Sequence, residues 1–169
     1  MKKVIMAFAI GLFTIGLVNA QEGFKLGANV ALPVGDAGDI SSFSLGLDAK
    51  YHWEISDTFY AGVATGFTNA FGKTETISED GFELEVEFED VQFLPIAASG
   101  KFNASEDFSI GADLGYAVGI SDGNDGGFYY RPGVGYKIGG NTELNLSYTG
   151  ISLDGGTWST IALGVLFGL

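Results

Sequence analysis

Phe43-Ser44-Leu45-Gly46-Leu47-Asp48-Ala49-Lys50-Tyr51-His52-Trp53-Glu54-Ile55 is the stretch that decides the fold. Every odd position is apolar and no even position is. A period of two places alternate side chains on opposite faces of an extended strand, whereas an amphipathic helix repeats its apolar positions every three to four residues. The run is also long. A strand in a soluble protein averages about 5–6 residues, while a tilted strand crossing a membrane needs about 9–11.

The same alternation recurs on both sides of this run. Phe24, Leu26, Ala28, Val30 and Leu32 precede it, and Phe59, Ala61, Val63, Thr65 and Phe67 follow. A weaker segment covers Val91 to Phe102. Phe108 to Val118, Phe128 to Ile138, Leu144 to Tyr148 and Ile161 to Leu169 complete eight expected strands. Three connections are short: Ser56-Asp57-Thr58, Asn103 to Asp107, and Gly139-Gly140-Asn141, as hairpin turns are. The intervening ones are longer, at Pro33 to Ser42, Asn69 to Asp90 and Gly119 to Gly126, with a short last one around Asp154-Gly155-Gly156. Short turns at one end and longer loops at the other are expected of an outer-membrane barrel, with both termini periplasmic.

The N-terminus reads as an export signal. Lys2 and Lys3 precede an apolar run from Val4 to Val18, and Val18-Asn19-Ala20 supplies small residues for cleavage. Residues 1–20 are therefore expected to be a cleaved signal peptide and residues 21–169 one barrel domain. The chain has no cysteine, which excludes disulfides and lipid attachment through a thiol. Without Lys2 and Lys3, six basic residues face 21 acidic ones, a formal charge of −15. That balance excludes a nucleic-acid partner, which requires a basic footprint. A 46% hydrophobic content also argues against disorder.

Periodicity alone does not say which face is inside. A soluble lipocalin-like ligand-binding barrel, with apolar residues inward, has the same strand count. The charges discriminate. By parity the polar face carries Lys25, Lys50, Lys101, Arg131 and Lys137 with Asp48, Glu54, Asp113 and Glu143. Near-balance of this kind is what a closed interior requires, because buried charges must be paired or hydrated. The opposite face is almost wholly apolar, with aromatics toward the strand ends, and is expected to meet lipid.

This pattern resembles the OmpA/OmpX-type small outer-membrane barrels, within the broad outer membrane protein beta-barrel domain ("porin") family. The resemblance rests on the signal peptide, the eight alternating strands and the terminal strand Trp158 to Leu169, and covers the mature chain. Such barrels usually end in an aromatic residue; here the end is Phe167-Gly168-Leu169. The resemblance implies an all-β, eight-stranded antiparallel up-and-down transmembrane barrel in the cell outer membrane. Its surroundings would be outer-membrane lipid and lipopolysaccharide.

No catalytic constellation is expected, and no cofactor or metal. The lone histidine, His52, points inward by parity and is read as part of an interior polar network with Lys25, Asp48, Lys50, Glu54, Asp113, Arg131 and Lys137. Eight strands leave an interior that side chains can fill, so a paired plug is expected, with a narrow solute path as the alternative. Phe82, Leu84, Val86 and Phe88 alternate with Glu83, Glu85, Glu87 and Glu89 after the turn signal Glu79-Asp80-Gly81. This segment reads as strands three and four continuing above the bilayer as an acidic hairpin, a surface for an extracellular protein. Asp122 to Gly127 lacks the glutamate that a calcium loop needs and reads as turn residues. Asp36, Asp39 and the other loop acids are candidates for divalent-cation contact. The barrel is expected to be a monomer with a non-enzymatic role in envelope structure or surface interaction.

Overall fold

The computed structural model describes residues 23–79 and 82–169. The expected signal peptide and Asp80 lie outside the described residues. Eight strands close a barrel: β1 (Phe24–Val34), β2 (Ser41–Glu54), β3 (Phe59–Gly72), β6 (Val91–Asn103), β7 (Phe108–Gly119), β8 (Gly127–Gly139), β9 (Thr142–Leu153) and β10 (Gly156–Gly168). Neighbours around the ring run β1-β10-β9-β8-β7-β6-β3-β2, all antiparallel. β1 seals the cylinder against β10, from Lys25 opposite Gly168 to Val34 opposite Ser159. Closure removes the unpaired edge, as a structure crossing hydrocarbon requires.

The faces divide as the charges imply. Leu47 is 62% exposed on the outside, while its neighbour Asp48 is 7% exposed on the inside. Leu45, Ile96, Ile110, Leu114, Leu146 and Leu163 form the outer belt. An apolar patch beyond a few hundred Å² marks an interaction with lipid or protein, and here it encircles the molecule. The soluble lipocalin-like alternative is excluded, because its apolar side chains would face inward.

Aromatic rings bound the belt. At the long-loop end Phe43 stacks on Phe71 with centroids 4.6 Å apart, and Tyr130 lies between Phe128 and Tyr148. At the short-turn end Tyr51 meets Trp53 edge-on at 4.9 Å, and the pairs Phe59–Phe102 and Phe108–Tyr136 face each other across strands. From Phe43 to Trp53, a rise of about 3.3 Å per residue at a tilt of about 40° spans about 25 Å, the height of an outer-membrane apolar band.

Three prolines lie in barrel strands; Pro33, near the end of β1, keeps its place opposite Thr160, and the ladder gives way around the other two. Pairing of β3 with β6 stops after Thr65–Ile96 and resumes in the same register at Thr68–Phe93, leaving Pro95 in the gap. Pairing of β8 with β9 skips from Tyr130–Gly150 to Gly133–Ser147 around Pro132. Proline has no N–H to donate. The Thr65 hydroxyl donates instead to the Pro95 carbonyl at 2.8 Å.

The long-loop end departs from the expected outline in two places. The connection after β1 contains a one-turn helix, α1 (Asp36–Ile40), whose Ala37 is buried. It lies over an apolar cluster of Phe93, Tyr129, Ile151 and Trp158 inside the barrel mouth. The acidic hairpin is not a continuation of the barrel strands: β4 (Thr74–Glu79) and β5 (Phe82–Glu87) form a separate two-stranded sheet. Asp90 is the reason. Its carboxylate accepts hydrogen bonds from Asn69 Nδ2 at 3.0 Å and the Gly72 amide at 3.1 Å, capping the end of β3. Lys73 then ties the hairpin base to the α1 loop through its amide to the Ile40 carbonyl (2.9 Å) and its ammonium to the Gly38 carbonyl.

Candidate functional site

Alternation delivers even-numbered side chains of β2 to the interior, and odd-numbered ones of β1, β6, β7, β8 and β9. The strand order then decides which of them meet. β2 and β8 lie four positions apart in a ring of eight, so Asp48 and Arg131 face each other across the full diameter. Their pair is bidentate: Arg131 Nη1 to Asp48 Oδ1 at 2.6 Å and Nη2 to Oδ2 at 3.2 Å. Asn29 Nδ2 donates to Asp48 Oδ2 at 2.7 Å, and Arg131 Nε donates to Ser147 Oγ at 2.9 Å.

Nearer the short-turn end, Lys50 Nζ pairs with Asp113 Oδ2 at 2.6 Å. Lys25 and Lys101 both reach Glu143 Oε2, at 2.7 and 2.5 Å. Each pair joins non-adjacent strands, so the network braces the cylinder from within. Buried ion pairs do little for net stability, yet removal of one partner is costly.

Of the residues expected in this network, Lys25, Asp48, Lys50, His52, Asp113 and Arg131 come together. Glu54 and Lys137 do not. Both have inward parity but stand at strand ends, exposed on the short-turn rim, and neither joins an ion pair among the described residues. Parity alone cannot see that the barrel wall ends there. Asn29, Ser99 and Ser147 were not singled out from the sequence, although their parity marks them as inward.

His52 Nε2 lies 2.9 Å from Ser99 Oγ, and Ser99 Oγ donates to Asp113 Oδ1 at 2.6 Å. A serine hydroxyl has one proton. With that proton on Asp113, His52 Nε2–H must donate to Ser99. This polarity is opposite to that of a histidine activating a serine nucleophile.

The space left inside is small. A cavity of about 60 Å³ lies on the short-turn side and one of about 30 Å³ on the other. Asp48 and Arg131 line both and stand between them. A water needs about 10–15 Å³ by this measure, so the two hold a handful of waters. The smaller cavity is lined by Phe93 and Trp158, whose rings are 5.7 Å apart.

The hairpin is the second candidate. Glu85, Glu87 and Glu89 are exposed, with the less exposed Val86 and Phe88 between them. Glu79 pairs with Phe82 and Glu83 with Ser78 in the β4–β5 ladder. Hydrogen bonds from Asn69 and Gly72 lower the Asp90 carboxyl from its ordinary value. Among the described residues no group of three or more acidic or histidine side chains is arranged to hold a metal.

A closed antiparallel barrel with an apolar outer belt, aromatic girdles and a charged interior defines a transmembrane β-barrel. The chain belongs to the outer membrane protein beta-barrel domain family, whose model matches residues 5–167, and its place is the cell outer membrane. Solved structures share the fold. The crystal structure of Ail, the attachment invasion locus protein of Yersinia pestis, is 19% identical, with a TM-score of 0.56 over 86% of this chain and 95% of that one. Neisserial surface protein A is 20% identical, with a TM-score of 0.54 over 88% and 98%. A de novo designed transmembrane β-barrel aligns at 13% identity and a TM-score of 0.51, over 89% and 99%. The shared feature is therefore architecture. No curated protein matches the chain.

Proposed function

We propose that this protein is a non-enzymatic, monomeric barrel, exported and cleaved after Ala20, that serves surface interaction at its long-loop end, with both termini periplasmic. The observation that carries this reading is the partition of charge. Thirteen of the 21 acidic residues fall in the four connections of the long-loop end, from Asp36 to Asp154, and Lys73 is the one basic residue there. Charge of one sign over a whole end steers oppositely charged partners and repels like ones. Ail has been crystallised with the heparin analogue sucrose octasulfate. A polyanion of that kind is a poor match for this acidic end, which suits a cationic protein segment or divalent cations bridging to lipopolysaccharide. The sequence from Thr74 to Glu89, which contains β4 and β5, holds the densest run of acids, Glu79, Asp80, Glu83, Glu85, Glu87 and Glu89, and an open sheet edge accepts an added strand.

Deletion of residues 75–89 should leave the boiling-dependent gel shift of the folded barrel intact and abolish binding of cationic protein segments; unchanged binding refutes the role of the hairpin. Protease added to intact cells should clip between residues 75 and 89. Conduction is the weaker reading, since the Asp48–Arg131 pair spans the diameter and an apolar cluster closes the long-loop mouth. Discrete conductance steps in a planar bilayer would reverse that preference.

A further inference from the structure

We propose that the interior, on its short-turn side, is a binding site for one small inorganic anion of about the size of phosphate. The charges there do not balance. The Asp48 carboxylate is taken up by the bidentate Arg131 guanidinium. What remains around the 60 Å³ cavity is Lys25, Lys50 and Lys101 against Asp113 and Glu143, three cations facing two anions.

The hydrogen-bond inventory is unbalanced in the same sense. An ammonium carries three N–H donors and accepts none. Among the described residues each of these three lysines donates to one side-chain acceptor, and Lys25 and Lys101 share the same oxygen, Glu143 Oε2. Most of their donors are left for something other than protein. All three line one cavity, so the surplus donors and the surplus charge fall in one place. Gly133 and Gly135 face it without side chains; a Cβ on Gly135 would meet Glu143 Oε1 at 2.4 Å, so the space beside that carboxylate depends on glycine.

Solvent reaches the cavity. The Lys25, Lys50 and Lys101 side chains are 22%, 17% and 13% exposed, whereas Arg131, deeper in, is 9% exposed. An anion entering from the short-turn end would meet the lysines first and be stopped by the Asp48–Arg131 pair. Charge-assisted hydrogen bonds from several ammonium groups at low local dielectric are the strong kind. The site is a dead-end pocket and does not depend on the role proposed for the hairpin.

The test is calorimetric titration of inorganic phosphate into the full barrel, refolded in a zwitterionic detergent at pH 7. Gluconate, too bulky for the cavity, holds ionic strength constant. One saturable phosphate per barrel is expected. Lys101→Met should weaken binding about tenfold or more, the worth of one hydrogen bond to a charged group. Glu143→Gln, which removes a competing carboxylate, should tighten it. Lys73→Met, at the far end, should leave it unchanged. Lys25→Met replaces Lys101→Met if the latter does not refold. A purely bracing role for Glu143 predicts lower stability without tighter binding. Absence of saturable binding, or equal affinity in wild type, the lysine variant and Glu143→Gln, overturns the proposal.

Discussion

Replacing Arg131 by Met tests whether the interior pair holds the barrel or merely occupies it. The substitution keeps much of the side-chain volume and deletes three hydrogen bonds, two to Asp48 and one to Ser147. Asp48, 7% exposed, is left with Asn29 as its one side-chain donor among the described residues. An orphaned buried charge costs about 3–5 kcal/mol. Asp48 borders both cavities, so water can take up part of its lost solvation, and the lower figure, about 3 kcal/mol, applies. Asp48→Asn combined with Arg131→Met removes the charge as well as its partner and should recover all but about 1 kcal/mol, the scale of ordinary hydrogen bonds. Reversible urea unfolding in lipid vesicles, followed by tryptophan fluorescence, measures Arg131→Met, Asp48→Asn and the double variant, and so the coupling between the two positions. A single-variant loss under about 1 kcal/mol, or a double variant no more stable than Arg131→Met, would refute the reasoning and show that the pair is already hydrated.

Three further outcomes follow from the same structure. Leu47→Arg, in the middle of the outer belt, should cost about 2–4 kcal/mol in lipid vesicles and far less in the exposed turn at Thr58; equal costs would contradict the assignment of the lipid face. Gly150→Ala places a Cβ about 2.1 Å from the Tyr130 ring, which must swing away from Tyr148, for a loss of about 1 kcal/mol in the same assay; an unchanged unfolding midpoint would mean that the ring does not cover this glycine. Asp90 has a folded-state pKa below its ordinary value, so its hold on the hairpin base is complete above about pH 4 and lost as pH falls through the depressed pKa. NMR titration should find Asp90 ionising below the ordinary aspartate value, and Asn69→Ala should raise it.

Much of the fold is legible in the sequence because alternation is local. Each residue's face depends on its neighbour, and runs such as Phe43 to Ile55 leave no competing period. The short connections at 56–58, 103–107 and 139–141 are legible for the same reason, since glycine, asparagine and aspartate act on the few bonds around them. The lipid-facing assignment also came from the sequence, through the near-balance of charge on one face. Less regular stretches were harder to read. The helix α1 spans five residues, too few to show a period, and is held by burial of Ala37 over Phe93 and Trp158 rather than by its own sequence. The hairpin was read as strands three and four continuing because Phe82 to Phe88 alternate with glutamates after the turn signal at Glu79-Asp80-Gly81, whereas hydrogen bonding by Asp90 and Lys73 separates β4 and β5 from the barrel ladder.

By itself, then, the sequence determined the barrel strands, their number, the face each of their side chains takes and the end of the barrel that gathers the acids. Only the tertiary structure decided which charges meet. Asp48 and Arg131 are 83 residues apart, and Lys25 and Glu143 are 118 apart. Strand order and stagger bring them to one level of the cylinder. The same stagger leaves Glu54 and Lys137, equally inward by parity, on the rim in water. Parity is a property of one strand, but depth inside a barrel belongs to all eight together, because tilt and register are set only when the last strand closes on the first.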